Sequence, residues 1–372
     1  MKLRKKQNGI TILIYFALKP LYISDSGAAQ IADLLIIAFV FFDILKNNGK
    51  MNVGKNANIT RFFFALVLYQ FILNLIWSGI TDDMTMNYKT LYYIFNMIVF
   101  SHCLCIGNRI GSSELKKAIG KGSFLAIIIA TIGILFYDSG RQRVTGFFEN
   151  PNQLGYFALI MLTVVVICHR EMPKYMIVSI VVFSIWASII SMSKATIISI
   201  FGYSTLLVLF NRKKATLKKL IIQVTLIVFV FSSIYVFLFS DLSFITSNKT
   251  ILVARNRVIN LMNENDSDLG EGRGYSRVLE VGENILWGTG EGAYERFVTK
   301  NGKEVHSTFV SLLTCYGLIG LSGYLYIFKK AIGKGAVMKQ NIINLSGLIL
   351  YSITHNGIRN TLLWCILALI LV

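Results

Sequence analysis

Arg141 and Arg143 stand in "RQRVTGFFENPNQLG", directly ahead of a long apolar run. Lys194 lies in "SMSKATIIS", Arg273 and Arg277 in "GEGRGYSRVLE", His306 in "EVHSTF", and His355 and Arg359 in "THNGIRN". An arginine fork binds two phosphate oxygens at once, and a lysine adds a compact charge. A neutral imidazole placed among such cations can take a proton from a hydroxyl group. These residue types suit a reaction in which a phosphate-bearing group departs and fixed cations hold the charge it gains. The five cysteines (Cys103, Cys105, Cys168, Cys315, Cys365) show no CxxC spacing, so neither a disulfide framework nor a zinc site is expected, nor any other cofactor.

The elements that must position these groups are apolar. Of 372 residues 54% are hydrophobic and only 15% charged, against about a quarter charged in an ordinary soluble chain. Mean hydropathy is +0.60. Apolar segments fall near 10–23, 28–45, 62–79, 90–106, 122–137, 154–168, 175–191, 195–210, 219–239, 307–328, 341–354 and 360–372. The first, fifth and last are short for a full span. The pattern predicts an all-α polytopic membrane protein of about 11–12 helices. The opening MKLRKKQNGI has no cleavage site after its apolar run and reads as the flank of a retained first helix.

With that end in the cytoplasm, alternate loops carry 23 of the 37 lysines and arginines and only two acids, Glu114 and Glu171. The net charge of +18 is therefore mostly topological, and no nucleic-acid partner is expected. Three regions follow: N-terminal helices over 1–239, a large extracytoplasmic loop over 240–306, and C-terminal helices over 307–372. The loop balances eight basic against ten acidic residues and is rich in glycine.

Outer-end lysines and arginines have an ordinary explanation, since they snorkel to lipid headgroups. That explanation is weakest for Lys194, whose connection is only a few residues long and holds the ammonium at the interface, where it needs an anion. Lys19 and Asp33 lie at similar depth in the first two segments and read as a structural pair. His102 and His169 look like interfacial residues at cytoplasmic helix ends. Gly317, Gly320 and Gly323 recur every third residue, which predicts a rigid helix closely packed on a neighbour. Gly146 should let its loop bend back to the membrane, with Asn150 capping and Pro151 starting the next helix. Cations around a histidine at the outer interface suit a lipid pyrophosphate, whose tail lies in the bilayer and whose head lies at the surface.

Three stretches carry a resemblance to a known family. "RVTGFFENPNQLG", "YSRVLEVGENILWGTGEGAY" and "HSTFVSLLTCYGLIG", in this order and topology, resemble the O-antigen and capsular polysaccharide polymerases (Wzy type) and the related O-antigen ligases. The resemblance implies a metal-independent glycosyltransferase in the cytoplasmic (inner) membrane, multi-pass, with its active site on the extracytoplasmic side. Its donor would be an undecaprenyl-pyrophosphate-linked oligosaccharide. Membrane lipids, a chain-length regulator and a flippase are its expected partners. Arg143 and Arg277 match the family's pyrophosphate-binding arginines and His306 its general base, with Lys194 where the family often has arginine. Arg141 and Arg273 are expected to assist at the pyrophosphate. Glu149, Asn152, Glu291, Tyr294, His355 and Arg359 are candidate glycan contacts. A ligase moving finished glycan to another acceptor, or a flippase for the lipid-linked glycan, are the alternatives.

Overall fold

A computed structural model describes residues 2–23, 29–137, 143–210, 252, 255, 274–292 and 305–372. Among them the chain is helical and without strands. In chain order the helices are α1 (Lys2–Leu18), α2 (Ile31–Lys46), α3 (Ala57–Thr81), α4 (Thr85–Ile110), α5 (Ser112–Phe136) and α6 (Pro151–Cys168). There follow α7 (Lys174–Ser191), α8 (Lys194–Phe210), a four-residue α9 (Arg277–Glu280), α10 (Thr308–Ile332), α11 (Gly335–Thr354) and α12 (Thr361–Leu371). Six helical segments of the described chain are long and apolar enough to cross a membrane. The apolar segment expected at 219–239 and most of the 240–306 loop lie outside the described residues.

Helix limits follow local chemistry. Asn150 caps α6 by accepting the amide of Gln153, Pro151 opens the helix, and Gly146 turns at φ +59, as the sequence led us to expect. The expected loop around residues 107–121 is instead a single turn at Gly111. Helix α5 starts at Ser112 and runs through Lys116, Lys117 and Lys121, so the fifth segment is full length. Glu114 and Lys117, paired at 2.7 Å one turn apart, suit a helix continuing past the apolar stretch.

Helix α1 lies on α5, α6 on α7, α8 on α11, and α4 takes both α3 and α12. Gly122 permits the first contact, because a Cβ there would meet the Leu13 carbonyl at 2.6 Å. At the centre, the fully buried Trp364 of α12 packs on Phe63 of α3 with ring centroids 4.5 Å apart, and on Phe100 and Tyr324. Lys19 and Asp33 pair at 2.5 Å, joining the end of α1 to α2, and Tyr15 donates to the same carboxylate oxygen. The two ends of the bundle differ. One gathers the basic turns, where Asn108 reaches the Asn52 carbonyl, Ser113 reaches Glu171 and Arg109 bonds Asp43. His102 faces Asp43 at 3.8 Å and is 1% exposed, a buried residue of α4 and not the interfacial one the sequence suggested.

Helix α10 departs from the expectation of a rigid helix. It breaks at Gly317 (φ 64°, ψ −168°), a backbone state essentially confined to glycine. The break frees the carbonyls of Thr314 and Cys315, which then accept the amides of Thr289 (3.0 Å) and Gly290 (2.8 Å), while the Ile319 amide reaches the Leu286 carbonyl (3.3 Å). Inside an apolar environment every such group needs a partner, and the stretch 286–290 supplies them. The crossing leaves no room for a side chain. A Cβ on Gly317 would sit 2.3 Å from the Leu286 carbonyl oxygen, and one on Gly288 would sit 2.4 Å from that of Cys315.

Gly317→Ala should therefore cost at least about 3 kcal/mol from backbone strain and overlap. Gly49→Ala is the control: its φ is +77 but nothing lies within 4 Å of the added Cβ, so about 1 kcal/mol is expected. Thermal unfolding of the detergent-solubilised variants checks the difference. Equal losses would remove the crossing as a stability determinant.

Candidate functional site

At the end of the bundle opposite the basic turns, the starts of α4, α6, α8, α10 and α12 meet the ends of α3, α7 and α11. Arg143 holds one corner. Its Nε donates to the Ser191 carbonyl (3.0 Å) and its Nη2 to Asn152 Oδ1 (2.9 Å), while the Val144 amide reaches the Ile190 carbonyl. Lys194 opens α8 just beyond, after a connection of two residues, Met192 and Ser193. Gly155 lets α6 approach that corner, since a Cβ there would meet Thr196 Oγ1 at 2.4 Å and Ser193 Cβ at 3.1 Å. Arg143 and Lys194 thus share one small region.

A chain of contacts leads from this corner to His306. Asn152 and Tyr156 are one turn apart on α6. Tyr156 stacks on Tyr351 of α11 at 4.4 Å and donates to the Gly357 carbonyl. Tyr351 lies 5.0 Å from His355, and the His355 ring 5.9 Å from that of His306. Backbone contacts fix the two histidines: Thr308 Oγ1 donates to the His355 carbonyl and accepts the Gly357 amide, each at 3.0 Å. Ser307 caps α10 by accepting the Val310 amide. His306 is exposed and His355 half-buried.

Arg277 joins from the other side. Gly274 abuts both its guanidinium and Val305, the residue before His306, and Tyr275 donates to the Ile353 carbonyl near the end of α11. Arg277 is 2% exposed. Its charge is held in a low-dielectric setting, where attraction to an anion is stronger than in water.

Glu291 and Arg359, expected as sugar contacts, are bonded to each other. Glu291 is fully buried, and Tyr93 (2.6 Å) and Tyr316 (2.9 Å) donate to its Oε1. Arg359 donates to Oε2 at 2.6 Å, and the Glu291 amide reaches Asn74 Oδ1. Asn96 holds the Arg359 carbonyl. This network ties residues 288–292 and the turn 355–360 to α3, α4 and α10. Glu149 stands exposed beside the cap of α6. Arg141, Arg273 and Tyr294 lie outside the described residues.

Sequence reasoning missed Asn74, Tyr93, Asn96 and Tyr316. Their signal was present, since polar side chains deep in an apolar segment need partners. It also missed one spacing: Asp266 and Asp268 form an Asp-x-Asp pair, again outside the described residues. Among the described residues no group of three metal-ligating side chains comes together. No protein-family model, curated protein or solved structure matches the chain.

Glu291→Gln or Arg359→Met alone should destabilise the protein by about 3 kcal/mol, because each leaves a buried partner uncompensated. The double variant should lose at least about 1 kcal/mol less than the sum, as expected for groups in contact. Unfolding midpoints of the three variants test this, and strict additivity would refute the coupling.

Proposed function

We propose that this chain is an integral-membrane glycosyltransferase that polymerises lipid-linked oligosaccharide repeat units. The observation that carries the reading is the gathering of Arg143, Lys194, Arg277 and an exposed His306 at the end of the bundle away from the basic turns. Three motifs resembling those of polysaccharide polymerases contain Arg143, Arg277 and His306. In this reading about 11–12 helices span the cytoplasmic membrane. The basic turns face the cytoplasm, and a large loop over 240–306 lies outside.

His306 takes the proton from an acceptor hydroxyl on one lipid-linked unit. That oxygen forms a bond to the anomeric carbon of the growing chain, from the face opposite the pyrophosphate, so the configuration inverts. The bond between that carbon and the pyrophosphate oxygen breaks, and undecaprenyl pyrophosphate leaves with both electrons. Arg143, Arg277 and Lys194 stabilise its added charge. Asn152 orients Arg143 through the Nη2 bond. In this reading Glu149 and His355 contact the sugar.

His306→Ala should reduce polymer formation by about 10²–10⁴-fold with unchanged protein in the membrane. The readout is polymer size and amount in a deletion strain complemented with each form. Normal polymer from His306→Ala would refute the base assignment. Lys194→Arg should keep much of the activity and Lys194→Glu should abolish it. Chelation with EDTA, or Asp266→Asn with Asp268→Asn, should leave the purified enzyme's rate unchanged. Loss of activity under either treatment would assign a metal to the reaction.

A further inference from the structure

A groove of about 560 Å³ runs between α10 and α11. Phe328, Leu321 and Leu312 of α10 and Ile342, Leu345 and Ile349 of α11 make its walls. Apart from Tyr324, whose hydroxyl donates to Gln70, polar lining is confined to its ends. Thr308 and Ser352 close the end beneath His306 and His355, while Lys329 and Lys334 line the other, on either side of the α10–α11 turn. Both lysines are exposed. Lys334 and Ser352 stand at the two ends of the unbroken α11, 18 positions and about 27 Å apart at 1.5 Å per residue, close to the hydrocarbon thickness of a bilayer of about 30 Å. The groove therefore traverses an apolar layer and carries its cations at one mouth, at headgroup depth.

Residues 305–372 contain no aspartate or glutamate. The neighbouring Lys330 lies over the Tyr326 ring, 5.3 Å from its centroid. The segment that builds the groove supplies two cations at its mouth and no acid to balance them. An occupant with a long apolar chain and an anionic head satisfies both features at once. The position of the cations fixes its direction: head at the Lys329–Lys334 mouth, chain pointing towards Thr308. That is opposite to a lipid whose head lies at His306, so this occupant is not the donor of the proposed reaction.

We propose that the groove is a binding site for an anionic phospholipid of the leaflet at the basic end, with its phosphate between Lys329 and Lys334 and one acyl chain between α10 and α11. The site is independent of the glycosyltransferase reading. A bound chain covers Phe328, Ile342 and Ile349 and holds α11 against α10, and α11 leads directly into His355.

The test is native mass spectrometry of the full-length, delipidated protein titrated with phosphatidylglycerol and with phosphatidylcholine. The wild type should bind phosphatidylglycerol at least about tenfold more tightly, the scale expected of two lysines at a membrane surface. K329Q/K334Q should bring the two lipids within about twofold while leaving phosphatidylcholine binding unchanged, and K329R/K334R should keep the preference. Ile342→Trp, at an exposed wall position, should weaken both lipids by filling the groove. Size-exclusion profiles identical to wild type show that each variant is folded. No anionic preference in the wild type, or a preference that survives K329Q/K334Q, overturns the proposal. So does displacement of phosphatidylglycerol by undecaprenyl phosphate at equal affinity in wild type and K329Q/K334Q, which would make the groove a polyprenyl site.

Discussion

A carboxylate removed entirely from water is the constraint around which this protein is organised. Tyr93, Tyr316 and Arg359 occupy the oxygens of Glu291, because an uncompensated buried charge costs several kcal/mol. Those partners come from α4, from α10 and from the turn before α12. Satisfying one side chain therefore fixes the relative positions of elements distant in sequence. The same network places residues 288–292 against the break in α10.

Helix α10 transmits that placement to His306. Its interruption at Gly317 is stabilised by backbone groups of residues 286–290, and its capped start holds Thr308 on the His355 carbonyl. His306 is thus set by the end of a helix whose middle is clamped elsewhere. Arg143 and Lys194 are positioned separately, by short turns and the close approach at Gly155. Their link to the histidines runs through the stacked Tyr156 and Tyr351. The two halves also meet where α8 packs on α11 and Tyr203 donates to the Asn344 carbonyl.

Much of the helical framework could be read from the chain, because hydropathy, caps and short connections are local signals. Asn150 and Pro151 announced the start of α6, and Lys19 and Asp33 announced their own pairing by depth alone. The helical run from Ser112 was hidden because a hydropathy window sees where lysines begin and not where a helix does. Gly317 was read as a packing residue since its spacing from Gly320 and Gly323 fits a helix face; only its φ/ψ distinguishes a break from a contact. Glu291 and Arg359 were assigned to substrate because polar residues at one end of a bundle look alike in sequence. Their true partners lie 68 and about 200 positions away, and no local pattern encodes such distances. Arg143, Lys194, Arg277 and His306 were legible as residues, while their spatial order was not.

The spacing of those partners also bears on biosynthesis. When residue 291 leaves the ribosome, Tyr93 and Asn74 are long made, Tyr316 is 25 residues from being made and Arg359 is 68. Until then the Glu291 side chain has no guanidinium to meet and must remain in water. Residues 288–292 can take their seat only after α10 and the turn before α12 have been threaded into place. The docking of residues 288–292 against Arg359 thus follows the synthesis of α10 and of the turn before α12.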